Sequence, residues 1–374
     1  MEMQKSERLL SLDVFRGITI AGMILVNDPG DWAHVYPALR HAVWNGVTPT
    51  DWIFPFFLFI VGVSVTFSLS KRKERGDDQK KLLLQIFRRS IILFVLGLII
   101  YGFPHFVVST QRIPGVLQRI AVCYFISSLI FLKTSIKTIS YTAGALLLIY
   151  WGMMALIPVP GAGYPNLEPA TNFAAWVDRT ILGVNHLWSG TRVWDPEGIL
   201  STIPSISTAL IGVLTGYWIK SSVDKAVKIV WMFVFGNFAL LLAAIWDIWF
   251  PINKGIWTSS FVLFTGGMAL LFFAMCYWLI DVKGYKRWTK PFIVYGTNAI
   301  TAFFLSELVP VALDLIHVTN SSGKSVGLIS CLYNSLFTWW LSPINASLAW
   351  AILNVIFWLG VLWILYRKKI FIKV

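Results

Sequence analysis

Charge is what this sequence is shortest of. Only 13% of its 374 residues are charged, while 57% are hydrophobic; a soluble domain carries about 25% charged residues. Acidic residues are the scarcer kind, 18 Asp and Glu against 31 Lys and Arg, for a net charge of +13. In a soluble protein that surplus would suggest nucleic acid. Here the basic residues sit in short segments between long apolar runs, which is the positive-inside pattern of a membrane protein, and no nucleic-acid partner is expected. Cysteine is nearly absent: Cys123, Cys276 and Cys331 lie far apart with no CxxC pair. That excludes a disulfide framework and a cysteine zinc site, and no metal is expected. There is no P-loop, Rossmann glycine pattern, HExxH or GxSxG, so phosphate-driven pumping and serine-hydrolase chemistry have no support. The opening MEMQKSERLLSLDVFRG lacks the ordered charged, apolar and small-residue regions of a leader. No cleaved signal peptide is expected, and the first apolar run reads as the first membrane anchor.

What is present is a series of apolar runs. About 20 such residues match the ~30 Å hydrocarbon layer at 1.5 Å per residue. Runs near 12–28, 50–70, 83–102, 114–132, 136–157, 199–219, 226–248, 258–280, 291–316 and 345–366 predict an all-α, polytopic integral membrane bundle of about ten transmembrane helices. We read it as one transmembrane domain over 1–374, multi-pass in the lipid bilayer. With the N-terminus inside, segments 1–11, 71–89, 133–137, 220–228, 281–290 and 367–374 are cytoplasmic and hold 23 of the 31 Lys and Arg. The stretch 327–341 (GLISCLYNSLFTWWL) is apolar but short, with Pro343 after it. It predicts an interfacial or re-entrant helix in an outer loop, 320–343. An eleventh span would carry the basic tail YRKKIFIKV outside, so ten spans and cytoplasmic N- and C-termini are expected.

All five histidines, His34, His41, His105, His186 and His317, then lie in or beside outer segments. Imidazole chemistry belongs to that side. The longest outer segment, roughly 158–198, is rich in Gly and Pro and predicts an ordered irregular loop with one short helix near TNFAAWVDRTIL. Within NDPGDWAHVYPALRHAVWNGVTPTD, His41 stands among polar groups between the first two spans, able to exchange a proton or attack an acyl group. The alternative is a solvated loop histidine. Asp51 reads either as a site residue or as a cap of the second helix, with Thr48 or Thr50. In the first span Asp13, Arg16 and Asn27 fall near one face, a stripe on the order of 16 Å long; it reads as a ligand path or as capping and snorkelling groups. Arg119 and Glu307 lie inside spans and pair with each other or line a cavity. Asp195 and Glu197 precede the sixth span as caps or as ligands of an external cation, amine or hydroxyl. Trp32, Trp44, Trp188 and Trp194 suit sugar stacking or an aromatic belt equally.

Six segments in order resemble one family. SLDVFRG, RHAVWNGVTPTDWIFPFFLFIVG, RIPGVLQRIAVCYF, WDPEGILSTIPSI, INKGIWTSSFVL and the terminal YRKKIFIKV are similar to heparan-α-glucosaminide N-acetyltransferase and its bacterial relatives, the NagX and YeiB-like transmembrane acyltransferases. The resemblance implies acetyl transfer from cytoplasmic acetyl-CoA to an amino sugar across the membrane. It implies that His41 is catalytic with Asn27 beside it. On the acceptor side, the outer segments offer Trp44, Asn45, Asp51, Asp195 and Glu197 as candidates. For the acetyl-CoA phosphates and arm, the basic face and the first-span stripe offer Asp13, Arg16, Arg88, Arg89, Arg119 and Lys368 as candidates. The animal enzyme has a further luminal region and leading span ahead of SLDVFRG, so a bacterial cytoplasmic-membrane protein acting on glucosamine or a short amino sugar is the expected form. A homodimer is compatible with the sequence. The competing expectations are a permease for amino sugars or glycan fragments and an O-acyltransferase of envelope glycans.

Overall fold

The computed structural model describes residues 9–319 and 323–372. The predicted segment 1–11, the outer loop 320–343 and the basic tail therefore lie partly outside the described residues. Among the described residues, thirteen α-helices run in chain order. They are α1 (Leu10–Asn27), α2 (Ile53–Glu74), α3 (Gln79–Gly102), α4 (Val116–Lys133), α5 (Ile136–Leu156), α6 (Phe173–Leu182), α7 (Thr202–Lys220), α8 (Lys225–Asp247), α9 (Ser259–Tyr277), α10 (Lys290–Thr297), α11 (Ala299–Asp314), α12 (Leu328–Tyr333) and α13 (Pro343–Arg367). Among the described residues, nine helices are long and apolar enough to cross a membrane. Taken together as one broken span, the pair α10 and α11, bent by 79°, makes a tenth. The bend falls at buried Asn298, whose side chain donates to Ile370 O and accepts from Ile372 N, tying the C-terminal tail to the break.

The apolar runs sort into two shells. The most apolar stretches of α1, α2, α4, α7 and α9 are 56–72% buried within the protein; those of α3, α5, α8 and α13 are only 22–28% buried and turn large aliphatic and aromatic side chains outward. Between lipid-like surfaces there is little hydrophobic drive for helix association, so close backbone contact and hydrogen bonds do the work. Two reciprocal glycine crossings show this. A Cβ on Gly62 of α2 would stand 1.9 Å from Ala209 O, and one on Gly212 of α7 2.0 Å from Phe59 O. Gly17 of α1 meets Phe292 O in the same way, and Gly296 of α10 meets Asp13 O. Hydroxyls add cross-helix bonds, Thr66 to Val213 O, Ser207 to Ala143 O and Ser259 to Leu147 O.

The helix expected near TNFAAWVDRTIL is α6, with Asn172 as its N-cap. The apolar stretch 327–341 forms α12 and a short π-turn, after a two-stranded ribbon of His317–Thr319 and Ser325–Gly327. It is too short for a span.

Candidate active site

A single chamber of about 570 Å³ draws its walls from distant stretches of the chain. The α1 end supplies Asn27, the α1–α2 connection Trp32, His41 and Trp44, and the α3 end Tyr101. Arg112 comes from the approach to α4, Trp188, Trp194 and Glu197 from the approach to α7, Lys254 from the turn before α9, and Glu307 from α11. The chamber stands at the end of the bundle opposite the Lys- and Arg-rich turns that follow α2, α7 and the α9 extension.

The start of the second span explains how His41 is held. Thr48 and Asp51 form a capping box around a short 3-10 turn with Pro49 at its first position. Asp51 Oδ2 accepts from Thr48 N at 2.9 Å and from Ala42 N at 3.1 Å. Oδ1 is left to accept from His41 Nδ1 at 2.7 Å. The Asp51 side chain is 1% exposed and that of His41 47% exposed. One carboxylate thus serves as helix cap and as imidazole partner, an oxygen for each. A proton on Nδ1 leaves the Nε2 lone pair free for chemistry.

Lys254 is the neighbour on the other side. Its Nζ lies 3.1 Å from His41 Nε2, 3.0 Å from Nδ1 and 3.8 Å from Asp51 Oδ1. It arrives there because the turn carrying it is stitched to the His41 loop: Gly46 N donates to Ile252 O, and Asn253 Nδ2 donates to Asn45 Oδ1. Burial pushes the Lys254 amine down, opposed by the charges of Asp51 and Glu197.

The third cluster centres on Arg112. Its guanidinium makes a two-pronged contact with Asp195, Nη2 to Oδ1 at 2.6 Å and Nε to Oδ2 at 2.9 Å. Nη2 also reaches Glu197 Oε2 at 2.6 Å, and the Tyr101 ring lies under it at 4.7 Å. Asp195 additionally accepts from Trp188 N and Glu197 N, which shapes the WDPEG loop into the chamber wall.

Not every residue singled out by sequence comes together here. His41, Asn27, Asp51, Trp44 and Glu197 line the chamber. Asp195 stands behind Arg112 and does not line it, and Asn45 faces Asn253. Asn27 Nδ2 donates to Glu307 Oε1 at 2.9 Å, so among the described residues its side-chain contact is with that carboxylate and not with the imidazole. Arg119, grouped from sequence with the basic face, is instead buried at the chamber end. It donates to Gly198 O and Ser201 Oγ and packs over the Trp257 ring at 5.0 Å. The Arg119–Glu307 pair does not form; Arg119 contacts the approach to α7 and Glu307 the end of α1. Arg88, Arg89 and Lys368 are exposed and away from the chamber. Arg16 contacts Asp13, Ser64 and Gly296 O. The chamber lining on α1 stops at Met23, seven residues or roughly 10 Å short of Arg16. Lys254, Arg112 and Tyr101 carry the site with them and were not singled out. The signal existed: Arg112 and Lys254 are among the few cations outside the basic face.

A helical membrane protein with nine or ten candidate spans among the described residues, and a large chamber built on a histidine–carboxylate pair, is the class that fold and site define. Residues 8–245 match the family model described as "Heparan-alpha-glucosaminide N-acetyltransferase, catalytic", and the chain belongs to that family. It is 30% identical over 427 aligned residues to heparan-alpha-glucosaminide N-acetyltransferase of Homo sapiens, covering 98% of this chain and 60% of that protein. The Mus musculus enzyme of the same name is 29% identical over 99% of this chain and 61% of its own length. An uncharacterized 39.9 kDa protein in the amylase 3' region of Bacillus acidopullulyticus is 29% identical over 41% of this chain and 43% of its own. The chain spans about three fifths of the length of the two mammalian relatives.

Proposed function

We propose that the protein is a transmembrane acetyltransferase of a bacterial cytoplasmic membrane, moving the acetyl group of cytoplasmic acetyl-CoA to the amino group of a glucosamine-type sugar that enters the chamber from the far side. The observation that carries this reading is the Asp51–His41 pair in the chamber wall. A carboxylate on Nδ1 fixes the tautomer and supports charge on the ring when Nε2 takes a proton. In the direct route Nε2 removes a proton from the sugar ammonium. The amine nitrogen then attacks the thioester carbonyl carbon, the C–S bond breaks, and the thiolate leaves with a proton to become the CoA thiol. In the two-step route Nε2 attacks the thioester carbonyl and the C–S bond breaks, expelling CoA as its thiolate; the deprotonated sugar amine then attacks the acetyl carbon, the bond to Nε2 breaks, and the amine's extra proton is lost. The ring of tryptophans, Trp32, Trp44, Trp188 and Trp194, supplies faces for a sugar. Pantetheine delivery would follow α1 from the Asp13–Arg16 cluster, opening the packed stretch between Arg16 and Met23.

Lys254 fits the oxyanion of the two-step route, since its charge lies beside the nitrogen that meets the carbonyl there, and in the direct route it flanks the nitrogen that takes the proton. Lys254→Met should lower kcat by about 10²-fold, the order of losing one oxyanion donor, with KM for the sugar little changed. Partial recovery on adding methylamine would separate a lost charge from a disturbed turn. The reading as a whole is tested in sealed vesicles with labelled acetyl-CoA on the cytoplasmic face and glucosamine on the other. Label in an amide on the far-side sugar is expected. Unmodified sugar accumulating across the membrane would overturn it in favour of a permease, and an ester product in favour of an O-acyltransferase.

A further inference from the structure

The chamber's charges do not close among themselves. Arg112 is matched by Asp195 and Glu197, and Lys254 by Asp51. Glu307 lines the same chamber with no cation within ion-pair distance among the described residues; its partner is the neutral Asn27 amide. Beside it Asp28 is buried, with Oδ2 unpartnered, and burial followed by the Glu307 charge pushes its carboxyl up to about 8. An ionised carboxylate held away from bulk water is costly without an opposite charge or a full set of donors. Here Asn27 supplies one donor, and the open side faces the chamber.

We propose that Glu307, aimed by Asn27, is the residue that recognises the acceptor's ammonium group and so selects amino sugars over neutral ones. This rests on the acetyl-acceptor reading of the chamber given above. It assigns Asn27 a different task from orienting the imidazole: it presents a carboxylate. A primary ammonium, with three donors and one positive charge, completes the set that Glu307 lacks. It also brings the amine to the chamber that His41 lines, while the tryptophans bear on the ring.

The test needs no acetyl donor, so it succeeds or fails apart from the transfer reaction. Full-length protein in lipid nanodiscs is titrated calorimetrically with glucosamine and with glucose, then repeated for Glu307→Gln and Glu307→Asp. The expected result is wild-type preference for glucosamine of tenfold or more, lost in Glu307→Gln with glucose affinity within about threefold, and partly restored in Glu307→Asp. A Glu307→Gln protein that keeps the preference overturns the proposal. So does one that melts at the wild-type temperature and loses both sugars equally, since Glu307 would then shape the chamber without reading charge. If Glu307→Gln does not fold, Asn27→Ala takes its place: an unchanged preference there overturns the proposal, and a reduced one supports it. A label-transfer assay on the same preparations shows separately whether acetyl transfer stands.

Discussion

His41→Ala is expected to reduce acetyl transfer by about 10²–10⁴-fold, the range spanned by a positioned general acid–base group. The effect should appear in kcat as well as kcat/KM, because the imidazole acts on the proton in flight rather than on sugar binding. Stability should change little. The side chain is 47% exposed, and removing it leaves Asp51 with two backbone donors, Ala42 N and Thr48 N, together with the Lys254 charge. Asp51→Asn is the companion. An amide at that position can no longer accept from Nδ1–H and from the two backbone amides together, so the ring loses its fixed tautomer, and a rate loss of the same order follows. It also weakens the cap of α2, at a cost of about 1 kcal/mol. Initial rates with labelled acetyl-CoA and glucosamine, beside melting temperatures of the same preparations, decide both. A well-folded His41→Ala enzyme with an unimpaired rate would remove the imidazole from the reaction.

The membrane architecture was legible because hydrocarbon imposes it. Ten apolar runs at the right length leave few alternatives to ten helical crossings. The one irregular crossing was not legible: 291–316 reads as a plain apolar run, while the chain bends at Asn298, a residue whose side chain is used up by the tail. The site divides in the same way. His41 and Asp51 stand ten residues apart on one connection, and the local pattern of loop, cap and helix start brings them together. Lys254 is more than two hundred residues from His41, and Arg112 more than eighty from Asp195. Only packing unites such pairs, and a single sequence does not record it. Arg119 shows the converse. Its charge inside an apolar run announced a partner, but whether that partner was Glu307 or the start of α7 depended on which helices are neighbours. The basic face could be told apart by counting charges, and of the six outer exceptions to the count two, Arg112 and Lys254, line the chamber, while Arg40, Arg179, Arg192 and Lys324 do not.

Arg112 carries the largest stability prediction. Its side chain is 11% exposed, against 0% for Asp195 and 7% for Glu197. Arg112→Ala strips two enclosed carboxylates of their counter-charge, and breaking a buried pair in this way costs about 3–5 kcal/mol because the remaining charge is uncompensated. A melting temperature lowered by many degrees is expected. Arg112→Lys should recover part of the loss and not all of it, since an ammonium cannot reproduce the two parallel N–H bonds to Asp195 or lie flat on Tyr101. The cause can be isolated by adding Asp195→Asn to Arg112→Ala. If the penalty comes from stranded charge, the double variant melts above Arg112→Ala alone, a coupling that independent sites do not show. If instead the guanidinium matters through its volume, the second change lowers stability further. The same loop carries Trp188, Trp194 and Glu197 into the chamber, so loss of Arg112 should also weaken sugar binding. A cation of the chamber wall would thereby control the chamber by holding that wall in place.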